Sequence, residues 1–137
     1  MSKPTPQEAL VYLKVILSAS DRDMGDEELA RIGAIVRTLP AFHGFEQART
    51  LAVAQDCQRL LHEEAGFSGV LDLIAETLSP ELRETAYALA IDVAAADLDV
   101  RLEEDRVLEL VRRRFDLERG TVLAIERAAR IRHRTLA

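Results

Sequence analysis

An all-α fold is what this 137-residue sequence predicts, as a single compact domain of about seven helices built from two pseudo-repeated helical hairpins. Three observations carry that prediction. Apolar residues recur at steps of three and four, the period of a helix face, between segments bounded by Pro, Gly and Ser. β-Branched residues never alternate with polar ones over the length of a strand, and no Asn-Gly or Asp-Gly hairpin turn occurs. Finally, one acidic motif occurs twice at a constant offset of 76 residues.

The first helix starts at Thr5-Pro6-Gln7-Glu8. Thr5 is its N-cap, Pro6 takes the first helical position, where a missing N–H costs nothing, and Glu8 completes a capping box. Leu10, Leu13 and Leu17 form the apolar stripe. A second helix runs from about Gly25 to Leu39 on Leu29, Ile32, Ile35, Val36 and Leu39, and Pro40 stops it. A third follows Gly44, from about Phe45 to Glu64. Gly66 ends it, and Ser68 is placed to cap a short fourth helix to about Leu78. Ser79-Pro80 repeats the cap-plus-proline start for a fifth, Glu81 to about Ala96. Ala86, Ala88, Ala90, Ala94, Ala95 and Ala96 predict a close helix crossing there, since small side chains let backbones approach. A sixth helix spans about Leu102 to Phe115 and a seventh about Leu117 to Arg134, with Asp116 available as the cap between them.

The length suits one domain, residues 1–137, and 48% hydrophobic with 31% charged residues is the balance of a chain that buries a core. No run approaches the roughly 18 apolar residues of a membrane span, and MSKPTPQEAL lacks the apolar stretch of a signal peptide, so a cytoplasmic location is expected. Cys57 stands alone, which excludes an internal disulfide and a thiolate metal cage. The formal net charge of -6 is unevenly spread. From Arg112 to Ala137 eight arginines face three acids, a local +5 that leaves -11 for the rest. An acidic body with 4% aromatic residues argues against nucleic acid as a partner. The basic end has a structural reading, cations near helix C-termini with stems over apolar surface, and an alternative one, a surface that docks another protein or a second copy of this chain.

The repeated motif is Ala-[Ser/Ala]-Asp-x-Asp-[Met/Val]-x-x-Glu-Glu, read as residues 19–28 and 95–104. The match continues outward through Leu10/Ala86, Leu13/Leu89, Leu17/Val93, Ile32/Leu108 and Ile35/Val111, as duplicated helix pairs require. Helical spacing places Asp21 after Leu10, Leu13 and Leu17, and Asp97 after Ala86, Ala90 and Val93. Glu28 heads Ile32, Ile35 and Leu39, as Glu104 heads Leu108, Val111 and Phe115. Each copy thereby aims an Asp and a Glu at the corner between two helices. Inward carboxylates need backbone N–H groups, a proton, an arginine or a cation, so a clasp and a cation site stand as alternatives. Asp23, Asp26, Glu27, Asp99 and Glu103 read as first-turn acids at a helix start. An EF-hand is excluded, because its twelfth position demands Glu and counting from Asp21 and Asp97 reaches Ile32 and Leu108. Hard oxygen ligands favour calcium or magnesium over zinc or copper.

These motifs, with the seven-helix reading and the length, resemble the TerB-like family, named for bacterial tellurite resistance, over nearly the whole chain. The family motif is an alanine-rich helix end followed by Asp-Gly-x-[Ile/Val]-x-x-x-Glu. It stands here as Ala19-Ser20-Asp21-Arg22-Asp23-Met24 to Glu28 and as Ala95-Ala96-Asp97-Leu98-Asp99-Val100 to Glu104, with Arg22 and Leu98 in the place of its glycine. The resemblance implies a cytoplasmic helical module of tellurite and stress responses that binds divalent metal through those acids, giving Asp21, Asp23, Glu28, Asp97, Asp99 and Glu104 as the ligand set.

Other chemistry is sparsely represented. His43, His62 and His133 never pair at the spacing that sets two imidazoles on one helix face. Cys57 lies in Ala54-Gln55-Asp56-Cys57-Gln58, without the basic neighbour that would lower a thiol's pKa. No phosphate-binding glycine loop, Gly-x-Ser-x-Gly elbow or His-Glu-x-x-His helix occurs. A non-enzymatic role is expected, either as a cation-binding module or as a structural domain for protein interaction or self-association, whose acids only cap and clasp helices.

Overall fold

The capping box at Thr5 closes in both directions. The Glu8 N–H donates to Thr5 Oγ1 at 3.1 Å and the Thr5 N–H donates to Glu8 Oε1 at 2.8 Å, with Pro6 filling the first turn. They start α1, Pro6–Ser18, in the computed structural model, which describes residues 3–18, 30, 33–34, 37–95 and 105–136. Among the described residues there are no strands, and six α-helices have both bounds described. After α1 come α2 (Thr50–Leu61), α3 (Gly66–Thr77), α4 (Pro80–Ala95), α5 (Arg106–Phe115) and α6 (Arg119–Arg132). The chain divides into two compact units, Met1–Thr77 and Leu78–Ala137.

In the first unit α1 packs on α2 and α3, which pack on each other. Every residue from Ala9 to Ile16 is buried, Lys14 included. The stripe read from the sequence is therefore too narrow: Val11, Tyr12, Val15 and Ile16 are as buried as Leu10 and Leu13, and Leu17 lies at the margin. A helix apolar on nearly every side is a central one. α2 contributes Val53, Ala54 and Cys57, and α3 contributes Val70, Leu71, Ile74 and Ala75, each set at helical spacing. Truncating Leu13 or Ile74 to alanine removes packing worth about 2–5 kcal/mol.

The segment before α2 departs from the expected third helix. Ala30, Gly33, Ala34, Arg37 and Thr38 are helical, and Thr38 Oγ1 donates to Ala34 O at 2.9 Å. The remainder of the second predicted helix lies outside the described residues. Leu39 is extended, as a following proline requires, so Pro40 ends that helix as expected and opens a 3-10 turn, Pro40–Phe42. Gln7 Nε2 ties this turn to α1 by donating to Ala41 O at 3.2 Å and His43 O at 2.9 Å. Gly44 then takes a φ of 83°, a left-handed conformation in which a side chain would be strained. Phe45 does not begin a helix. Its ring meets Phe42 edge-to-face at 5.7 Å and lies 5.9 Å from the Arg49 guanidinium, anchoring a second 3-10 turn, Gln47–Arg49, so that α2 starts only at Thr50. Arg49 NH2 also donates to Glu8 Oε2 at 2.7 Å, which gives both oxygens of the capping glutamate a partner.

Gly66, at φ 52°, reverses the chain after α2. Ser68 is not the cap expected of it. The Gly69 N–H already donates to Ala65 O, so α3 begins at Gly66 and Ser68 lies inside its first turn.

In the second unit α4 packs on both α5 and α6. Ser79 Oγ accepts the Leu82 N–H at 3.3 Å, and Pro80 follows as first helical residue, as the sequence predicts. Ala86 and Ala90 on α4 and Ala129 on α6 have no exposed surface, consistent with a close crossing of these helices. α5 starts later than Leu102: Asp105 is extended, and its Oδ1 accepts the N–H groups of Val107 (2.9 Å) and Leu108 (3.1 Å). Leu108, Val111 and Phe115 are buried in the predicted column. Asp116 does not cap the last helix. It ends α5 in the left-handed region at φ 51°, and Glu118 takes the N-cap position of α6 without a side-chain bond. Arg132 pairs with Asp92 and holds the end of α6 on α4, with His133 Nε2 3.6 Å from the same carboxylate oxygen.

Candidate functional site

Asp21, Asp23, Glu28, Asp97, Asp99 and Glu104 all lie outside the described residues. The helices beside them are described up to the motifs: α1 as far as Ser18, before the first motif, and α4 as far as Ala95, the first residue of the second. After the second motif, the register of α5 starts from the Asp105 cap. Helical spacing from Leu108 therefore applies from Arg106 onward. Among the described residues, no group of three or more His, Cys, Asp and Glu side chains could hold a metal ion.

The described residues do contain one buried polar centre that joins three helices. Tyr87 of α4 is completely buried, and its hydroxyl donates to Glu126 Oε2 of α6 at 2.7 Å. Arg112 NH1 of α5 donates to the same hydroxyl at 2.9 Å and lies 3.6 Å from Glu126 Oε2. The Glu126 side chain is 8% exposed and that of Arg112 20%. Local sequence accounts for each placement. Tyr87 sits on the apolar face with Ala86, Ala90 and Ile91, Glu126 is three residues from buried Ala129, and Arg112 follows buried Val111.

Burial is the largest influence on Tyr87 and pushes its hydroxyl well above the ordinary 10.0; the Glu126 carboxylate adds to that, while Arg112 opposes it. The hydroxyl therefore stays a neutral donor. For Arg112 burial pulls downward, but the Tyr87 bond and the nearby Glu126 and Glu109 outweigh it and hold the guanidinium above its usual value. The result is a charged fork fixed by one nitrogen at the edge of the core. The sequence reading gives the arginines here either to helix ends and apolar cover or to a docking surface, and neither places one on a buried tyrosine. One signal was available: a tyrosine in the middle of an alanine-rich buried face must find a polar partner for its hydroxyl.

Arg112 and Glu126 also line a cleft of about 440 Å³ at the corner of α5 and α6, together with Arg113, Asp116 and Arg119. In the first unit, Cys57 has no exposed surface, its Sγ lies 3.8 Å from Tyr12 O, and burial pushes its thiol up to about 12. It stays protonated at neutral pH and acts in packing.

Among the described residues no helix is long and apolar enough to cross a membrane. No curated protein and no solved structure matches the chain. A family model described as tellurite resistance protein TerB matches residues 7–127, from the first turn of α1 into α6 and across both repeated acidic motifs. That span is most of the 137 residues, and the chain belongs to the TerB family.

Proposed function

We propose that this chain is a non-enzymatic module of tellurite and stress responses that works by binding, taking a divalent cation, calcium or magnesium, through its two acidic motifs. The observation that carries the reading is the duplication itself. Asp21, Asp23 and Glu28 recur as Asp97, Asp99 and Glu104 inside the region matched to the family. Carboxylate oxygens in that number are hard ligands suited to these ions. A ligand that binds only the folded state raises its stability as RT ln(1 + [L]/Kd), about 2.7 kcal/mol at a hundred times the dissociation constant. Melting in rising calcium and, separately, magnesium, against a chelated control, should show a concentration-dependent rise in Tm. A Tm indifferent to both ions would remove the cation from the function.

A second reading, a structural interaction domain whose acids cap and clasp, has its own support. Asp105 caps α5 and Glu126 clasps Tyr87 and Arg112, so acids of this chain already satisfy donors without metal. Under that reading Asp97→Asn with Glu104→Gln lowers stability equally with and without chelator.

A further inference from the structure

The cleft between α5 and α6 carries three guanidinium groups, those of Arg112, Arg113 and Arg119, and a volume of about 440 Å³ is of small-molecule scale. Two carboxylates also reach it. Glu126 is engaged, since its Oε2 accepts the Tyr87 hydroxyl and faces Arg112. Asp116 is exposed on the left-handed turn that ends α5.

The three arginines differ in what holds them. Both contacts of Arg112 are made through NH1, and a guanidinium carries five donors, so its fork is oriented from one corner. Arg113 NH2 pairs with Glu109 at 2.9 Å, but its side chain is 73% exposed, and such surface pairs exchange readily. Arg119 is the exposed first residue of α6, whose first-turn N–H groups gain no side-chain bond from Glu118. The next residue is Gly120, where an added Cβ would meet nothing nearer than Glu118 Oε1 at 3.5 Å. Packing does not demand a glycine there, and its presence leaves the backbone of that turn bare. The remaining lining is apolar, and Leu123 stands 52% exposed.

We propose that this cleft binds a small amphiphilic anion. A phosphate or carboxylate head sits between Arg113 and Arg119 against the fixed Arg112 fork, and an apolar body lies on Leu117, Val122 and Leu123. Planar guanidinium forks match both head groups in bidentate geometry. The competing explanation, arginines that merely complement the carbonyl end of α5, predicts no ligand.

The test is titration of the metal-free full chain with phenyl phosphate and, in parallel, with inorganic phosphate, followed by backbone amide shifts. Saturable shifts confined to residues 112–126 are expected, with phenyl phosphate the tighter ligand. Arg113→Gln combined with Arg119→Gln should weaken both ligands about tenfold or more, and Leu123→Ala should weaken phenyl phosphate alone. All three side chains are exposed, so melting of the variants should match the unsubstituted chain. Shifts that never saturate, or a double variant that binds as the parent does, would overturn the site. Equal weakening of both ligands by Leu123→Ala would overturn its apolar half.

Discussion

Glu126 is where the three helices of the second unit meet, and its environment fixes what substitution should do. Glu126→Gln keeps an acceptor for the Tyr87 hydroxyl and removes the charge facing Arg112, whereas Glu126→Ala removes both interactions. The alanine variant should lose about 1.5–3 kcal/mol, the cost of a buried hydrogen bond to a charged group, and the glutamine variant less. Urea unfolding of both, with Tyr87→Phe in a double-mutant cycle, measures the coupling; an additive cycle would mean that the three side chains do not act together. Cys57 yields a pH prediction. Its folded pKa of about 12 lies above the ordinary 9.0, so the unfolded chain ionises first. The thiol's contribution is intact below about pH 9 and is lost as pH rises toward 12, with a slope of about 1.4 kcal/mol per pH unit for one proton. Cys57→Ala, less stable at neutral pH because of its cavity, should fall less steeply between pH 9 and 12. Parallel pH profiles would contradict the assignment.

At the scale of elements, the caps separate side chains that start or end a helix from those that only sit near its end. Asp105→Ala removes both acceptor contacts at the start of α5 and should cost about 1 kcal/mol. Ser68→Ala should cost almost nothing, since α3 starts before that serine. Asp116→Gly relieves a left-handed side chain and should gain a few tenths of a kcal/mol, up to about 1. Thermal melts of the three variants check that order. The same contrast explains what was legible in the sequence. Thr5-Pro6-Gln7-Glu8 and Ser79-Pro80 could be read directly because all of their bonds are made within one turn. The delay of α2 to Thr50 could not, because Phe45 is held by Phe42 and by Arg49, contacts no local propensity encodes. Glu126 was hidden for a stronger reason: its partners lie 39 and 14 positions away, on two other helices.

At the scale of the whole molecule, the charge asymmetry is partly spent inside the second unit. Arg112 faces Glu126, Arg113 pairs with Glu109 and Arg132 pairs with Asp92, so at least three of the eight arginines in residues 112–137 have acidic partners within this unit. The family and the all-helical class could be reached from the duplicated motif and the helical period, and the match over residues 7–127 agrees with both. The six acids of that duplication fall outside the described residues, and solution measurements address them directly. The most direct measurement is the melting temperature with and without calcium or magnesium, in the parent and in a variant carrying Asp21→Asn, Glu28→Gln, Asp97→Asn and Glu104→Gln. These changes keep the shapes of the side chains and remove their charge. A cation site predicts that added metal raises the parent's Tm and leaves the variant's unchanged. Parent and variant responding alike to metal, or neither responding, would contradict it.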